Sequence, residues 1–163
     1  MNEIRSRFNA PWDLLLIVIT ILVLSLLISI SFYTQSLAPV ILNSLIILFA
    51  ASFGVYGYRI EGSSLKIIRL GWSKEIQLFD IKEIDFKPQA MRGSIRTWGI
   101  GGLFDYIGYF RNRTLSSYKA YATHRKKTVV ITTNRNEQIV VTPDSPEEFV
   151  QSMRVAILNS SKE

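Results

Sequence analysis

The chain has no cysteine and only one histidine, His124, among its 163 residues. The first absence excludes disulfides, thiolate metal sites and a cysteine nucleophile, and a lone histidine gives a metal little to bind. Charge is missing over a longer span, because no Lys, Arg, Asp or Glu occurs between Asp13 and Arg59. Leu14 to Phe32 is nineteen residues with neither charge nor proline. As a helix rising ~1.5 Å per residue, it approaches the ~30 Å hydrocarbon core of a bilayer. After Tyr33-Thr34-Gln35-Ser36, a second apolar run goes from Leu37 to Tyr56. Backbone amides in lipid must be satisfied internally, so both runs are expected to be helical.

Residues 13–56 therefore read as a transmembrane helical hairpin with helices at about 14–32 and 37–56. A leader, 1–12, precedes it and one domain, 57–163, follows. A cleaved signal peptide fits less well, since the apolar run is long and Ser36-Leu37-Ala38 is followed by Pro39. Arg5 and Arg7 lie on one flank, Arg59, Lys66 and Arg69 on the other, and the turn between the helices is uncharged. This asymmetry predicts that both termini are cytoplasmic. Trp12, Tyr33, Tyr56 and Tyr58 suit interface anchors. The spacings Ser25/Ser29 and Ala50/Gly54 permit close helix approach, and Asn43 is expected to join the helices by a hydrogen bond. Two helices without an ionisable group offer a channel or transporter little to work with.

From Gly57 the pattern becomes short alternating runs. Strands are expected at Tyr58 to Glu61, Leu65 to Arg69, Glu75 to Leu78 and Glu83 to Phe86. Lys87 to Gly102 reads as an irregular connection containing Pro88 and four glycines. Strand character returns at Phe104 to Phe110, Tyr118 to Ala122, Thr128 to Thr132 and Gln138 to Thr142. A closing helix at about 146–158 starts from Ser145 as N-cap, with Pro146 first and Glu148 completing a capping box. Phe149, Val150, Met153, Ala156 and Ile157 give it one apolar face.

The whole positive excess of the chain, net +6, lies between Lys87 and Arg135, where ten basic residues face one acid, Asp105. A purely solvated face normally mixes signs. Arg92, Arg96, Trp98, Arg111, Arg113, Lys119, Arg125, Lys126 and Lys127 are the candidate residues for an anionic surface or a partner. Beside a membrane, each Lys or Arg near the surface contributes ~1 kcal/mol of attraction to anionic lipid. The glycines of Gly99-Ile100-Gly101-Gly102 could form a backbone nest for a phosphate, but tight turning explains them better. Glu83 and Asp85 are spaced as a carboxylate pair, on a face expected to meet solvent. No Ser-His-Asp constellation stands out, so an enzyme and a cofactor are not expected.

The glycine-aromatic block resembles a known family. Trp98-Gly99, Gly102-Leu103-Phe104-Asp105-Tyr106, Gly108, Phe110, Asn112 and Ala120-Tyr121-Ala122-Thr123 are similar to a bacterial pleckstrin-homology-like (PH-like) family. The strand-to-helix junction Thr142-Pro143-Asp144-Ser145-Pro146-Glu147-Glu148-Phe149 matches as well. The resemblance spans about Tyr56 to Met153 and implies a seven-strand, barrel-like β-sandwich closed by a C-terminal helix, often fused to a transmembrane hairpin. It implies no activity. Many eukaryotic relatives bind inositol phosphates through a basic pattern on the first two strands, whereas here Arg59, Lys66 and Arg69 lack the closely spaced pair.

The expectation is thus a multi-pass protein of the bacterial inner membrane. Its cytoplasmic PH-like module is expected to be non-enzymatic and to scaffold or bind a protein partner, another copy of itself, or anionic lipid headgroups. The alternatives are a membrane-tethered nucleic-acid-binding domain, which the anchor disfavours, and an accessory subunit of a transporter.

Overall fold

The computed structural model describes residues 5–34, 36–99 and 104–160. The chain opens with a strand, β1 (Arg7–Asn9), and continues into α1 (Leu14–Thr34) and α2 (Leu37–Phe53). Eight strands follow before the last connection: β2 (Gly57–Glu61), β3 (Ser64–Ile68), β4 (Ser73–Gln77), β5 (Ile81–Phe86), β6 (Ile95–Trp98), β7 (Tyr106–Asn112), β8 (Ser116–Ala122) and β9 (Val129–Thr133). A tenth strand, β10 (Gln138–Val141), then leads to α3 (Pro146–Ser160).

α1 is long and apolar enough to cross a membrane, with a mean hydropathy of 3.0. α2 is apolar but only 17 residues long. It stops at Phe53 rather than near Tyr56, because Gly54 and Val55 already turn into the first sheet. Gly54 is therefore not a helical partner of Ala50, and that small-residue pair does not form within the helix. Asn43 does join the two helices, its amide donating to the Leu27 carbonyl at 2.9 Å and the Ser31 hydroxyl at 3.0 Å. With Asn43 opposite residues 27 and 31 of an antiparallel partner, Phe53 lies level with Ile19 and Thr20 of α1.

The strands form two sheets and not a closed barrel: a four-stranded sheet β1-β2-β3-β4, and a six-stranded sheet β5-β9-β10-β8-β7-β6. The count exceeds the seven expected strands partly because two strands arise where none was expected. β1 comes from the leader and pairs antiparallel with β2, Phe8 opposite Tyr58. Gly57 permits this pairing, since a Cβ there would meet the Phe8 carbonyl oxygen at 2.7 Å. Arg7 to Asn9 of the leader are therefore part of the β-domain. β6 comes from the connection expected to be irregular and pairs with β7. Among the described residues β8 and β10 run parallel, and every other pairing is antiparallel.

The main core lies between the sheets under α3, with Phe8, Tyr58, Leu65, Ile67, Ile131 and Met153 fully buried. Phe149 of α3 meets Phe8 edge-on, with ring centroids 5.1 Å apart. The Tyr58 hydroxyl ties the two sheets together. It donates to the Tyr121 carbonyl at 2.6 Å and accepts from the Thr142 amide at 3.0 Å. The junction into α3 is held from the leader, where Arg5 donates to Ser145 and pairs with Asp144 and Glu148, at 2.7 and 3.2 Å for the two carboxylates. A second core covers the other face of the larger sheet: Phe110, Tyr118, Val130 and Val140 pack with Ala90 and Met91 of the β5–β6 connection.

Candidate functional site

The base of α1 is fastened to the β-domain from several sides. Asp13 precedes the helix, and its Oδ1 accepts from the Leu16 amide at 2.8 Å, which caps the first turn. The same oxygen accepts from the Tyr106 hydroxyl at 3.0 Å. Its other oxygen accepts from the Arg125 amide at 3.2 Å and pairs with the Arg125 guanidinium at 3.1 Å. Leu16 and Thr20 are buried, and the Thr20 hydroxyl accepts from the Phe104 amide of the β-domain at 3.4 Å. Trp12 and Phe104 meet with ring centroids 5.8 Å apart. At the base of α2, the Trp72 indole donates to the Ser52 carbonyl at 3.1 Å, and Trp72 meets Phe53 edge-on.

Between α1 and the β5–β6 connection runs a groove of about 830 Å³. Leu14, Leu15 and Val18 form its helical wall; Gln89, Met91, Arg92, Gly93 and Ser94 form the facing wall. Tyr106 and Phe110 of β7 also line it, as do His124, Arg125 and Lys126 beside Asp13 at the start of α1. The facing wall is pinned by Asn112, whose amide donates to the Ala90 carbonyl at 2.7 Å and the Ser94 hydroxyl at 2.9 Å. Ser94 also meets the Tyr118 hydroxyl at 2.6 Å, and Thr128 binds both the Ala90 amide and the Lys87 carbonyl. Burial lowers the pKa of His124, opposed by Asp13 and assisted by the three neighbouring cations, so the imidazole is neutral at pH 7. The burial of Tyr106 beside the Asp13 carboxylate pushes its hydroxyl up to about 12, so it stays a donor.

The basic candidates divide over several surfaces. Arg92, Arg125 and Lys126 come together at the groove. Arg111 and Arg113 lie at the β7–β8 turn, around a separate depression with Gly93 and Ile95. Lys119 faces the cleft between the sheets, with its ammonium over the rings of Tyr109 and Tyr121, and shares that cleft with Arg135. Arg96 is half-buried against the Phe110 ring, and Lys127 donates to the Asp144 carbonyl at 2.8 Å. Trp98 is 77 % exposed. Asp13 and Tyr106 are site residues that charge counting along the sequence missed. The available signals were that Asp13 is the last charge before the apolar run, and that Tyr106 and Asn112 sit in the glycine-aromatic block.

The hairpin expected to lack an inositol phosphate pattern has two of its three cations engaged. Lys66 lies between Glu61 and Glu75 at 3.1 and 3.5 Å, and Arg69 is buried with its guanidinium over Trp72. Of the glycine nest, Gly99 alone lies within the described residues; Ile100, Gly101 and Gly102 lie outside them. Gly99 is needed for close approach to Gly108, because a Cβ on Gly99 would meet the Gly108 Cα at 2.6 Å, with φ of 132° and 137° at the two. Asp85 is paired with Arg154 and Lys87, at 3.1 and 3.7 Å, while Glu83 is exposed.

The architecture is a two-sheet β-domain closed by a C-terminal helix, with an apolar helix pair inserted after its first strand. Residues 56–157 match the family model described as "Bacterial PH domain", and the chain belongs to that family. No curated protein and no solved structure matches it. The fold family defines a module that is generally non-catalytic.

Proposed function

We propose that the chain is a membrane-anchored PH-like module without enzymatic activity, which holds a basic and aromatic near face in the anionic inner leaflet of a bacterial cytoplasmic membrane. Both helices cross the bilayer in this reading, and both termini are cytoplasmic. The observation that carries it is the fastening of both helix bases to the β-domain. Because Asp13, Thr20 and Ser52 are hydrogen-bonded to the domain, its orientation to the bilayer follows from that of the helices.

The lengths support immersion of the near face. At ~1.5 Å per residue the 17 residues of α2 span about 26 Å, short of a ~30 Å core. Trp12, Tyr56, Leu70, Trp72 and Trp98 are exposed, and Trp12, Tyr56 and Trp72 lie at the helix bases. Such side chains favour the headgroup level, and their entry makes up the missing few ångströms. In that position Arg92, Arg125 and Lys126 stand at the phosphate level. The nucleic-acid reading loses support because the cations are spread over separate surfaces rather than forming one stripe. A protein partner, taken at the Lys119 cleft or by a second copy, is the remaining reading.

The test uses the full chain in nanodiscs of neutral or anionic lipid. Amide exchange at His124 to Lys127 slows in the anionic discs at low salt. The difference shrinks as screening tightens from ~30 Å at 0.01 M to ~8 Å at 0.15 M salt. Equal exchange in both lipids at low salt overturns the membrane-surface role and leaves the protein partner.

A further inference from the structure

We infer that the groove beside the first turns of α1 is a binding site for a single anionic phospholipid of the inner leaflet. The inference rests on the membrane-surface reading above and adds a defined site and stoichiometry to it. The groove changes chemistry along the helix axis. Its outer end holds Arg125 on Asp13, Lys126 and the neutral His124; Arg92 lines the opposite wall. Its inner part is walled by Leu15 and Val18, which are 40 % and 44 % exposed although Leu16 and Thr20 of the same helix are buried. From Asp13 to Val18 the helix advances ~7 Å at ~1.5 Å per residue, roughly the step from phosphate to upper acyl chain.

A free phosphate would use only the outer end and leave the apolar wall uncovered. A helix of a partner protein would cover the wall and leave Arg92 and Lys126 without a counter-charge. A diacyl lipid with an anionic headgroup satisfies both ends. Counting Asp13 against Arg92, Arg125 and Lys126 leaves a net charge of +2 at the groove, so an anionic headgroup is favoured over a zwitterionic one. The Asn112 and Ser94 hydrogen bonds hold the facing wall without a ligand, so the site is preformed.

The test is native mass spectrometry of the full chain, released from bilayers of equimolar phosphatidylglycerol and phosphatidylethanolamine. Wild type is expected to retain one phosphatidylglycerol. Arg92→Glu with Lys126→Glu lowers that occupancy at least tenfold, whereas Arg111→Glu with Arg113→Glu, an equal charge reversal at the other depression, leaves it within twofold. Leu15→Trp, which fills the apolar half without changing charge, also lowers it tenfold, and millimolar inorganic phosphate does not displace the lipid. Equal loss in the two double variants means diffuse attraction and overturns the site while leaving the membrane-surface role standing. Absence of any retained phosphatidylglycerol from wild type also overturns the site. The nanodisc exchange measurement then decides separately whether the membrane role survives.

Discussion

Replacing Phe8 with alanine tests whether a residue in front of the membrane helices belongs to the core of the domain behind them. Phe8 is 0 % exposed, sits opposite Tyr58 in the sheet, and meets Phe149 of the closing helix edge-on at 5.1 Å. Its ring therefore contacts both ends of the β-domain's sequence, and truncation leaves a cavity bounded by strand and helix that cannot close without moving both. A buried Phe→Ala change costs ~3–5 kcal/mol, against ~5–15 kcal/mol for the whole stability of a typical domain. Each kcal/mol shifts Tm by ~4–8 °C for about 60–100 residues and by ~2–4 °C for about 150–250, and the β-domain lies between them in size, so a fall of at least ~6 °C is expected. The assay is thermal unfolding of the full chain in detergent, followed by near-ultraviolet circular dichroism. Phe79→Ala, at a side chain 69 % exposed, is the matched control and is expected to change Tm little. If Phe8→Ala and Phe79→Ala fall by the same amount, β1 is not integral to the fold. By the same reasoning, residues 57–163 alone, which the sequence reading takes as a complete domain, should fold only with a β1 peptide supplied in trans.

Other expectations follow from single residues. Gly108→Ala would drive a Cβ into the Trp98 carbonyl and Gly99 at a φ of 137°, so β6 should lose its amide-exchange protection while β9 and β10 keep theirs. Burial raises Asp105 to about 7, offset by Arg69, the Ile107 amide and Arg96. Between about pH 4 and 7 the folded chain therefore holds a proton that the unfolded chain has released. The contribution of Asp105 to stability is thus greatest below pH 4 and is lost as pH rises through 7. Asp105→Asn should accordingly gain in Tm relative to wild type from pH 5 to pH 8, and a constant offset would contradict the assignment. In the cysteine-free chain, Ser36→Cys should react with an impermeant thiol reagent from outside the cell and Ser160→Cys should not; the reverse pattern inverts the topology.

Periodicity along the chain located both apolar helices, the eight strands of regular alternation and the closing helix, because each is dictated by local side-chain spacing. The positions of β1 and β6 were not legible in that way. Arg7 to Asn9 is three residues without a repeating pattern, and it becomes a strand because Gly57 lets a distant backbone approach. Ile95 to Trp98 lies between Gly93 and Gly99, and its pairing depends on the Gly99–Gly108 contact. The expected closure into a barrel fails because the alternation of a strand does not specify which strand it meets. The site was half legible. Arg92, Arg125 and Lys126 stood in the basic stretch, but Asp13 reaches Arg125 across 112 residues, a juxtaposition that no local spacing encodes. The split of the cations over separate surfaces likewise follows from how β7, β8 and β9 are ordered in the sheet, not from their closeness along the chain.

In the proposed arrangement the near face of the β-domain enters the headgroup region of the membrane. A nitroxide attached to a single cysteine measures this directly, by comparing collisions with oxygen, which partitions into lipid, and with a polar paramagnetic complex, which does not. In bilayers containing anionic lipid, the label at Trp98→Cys should be oxygen-accessible and shielded from the polar complex, the label at Lys126→Cys should report headgroup depth, and the label at Arg135→Cys should be fully aqueous. Aqueous behaviour at position 98 equal to that at position 135 would mean that the domain stands clear of the membrane, with its basic groove facing the cytoplasm, and would rule out immersion of the near face.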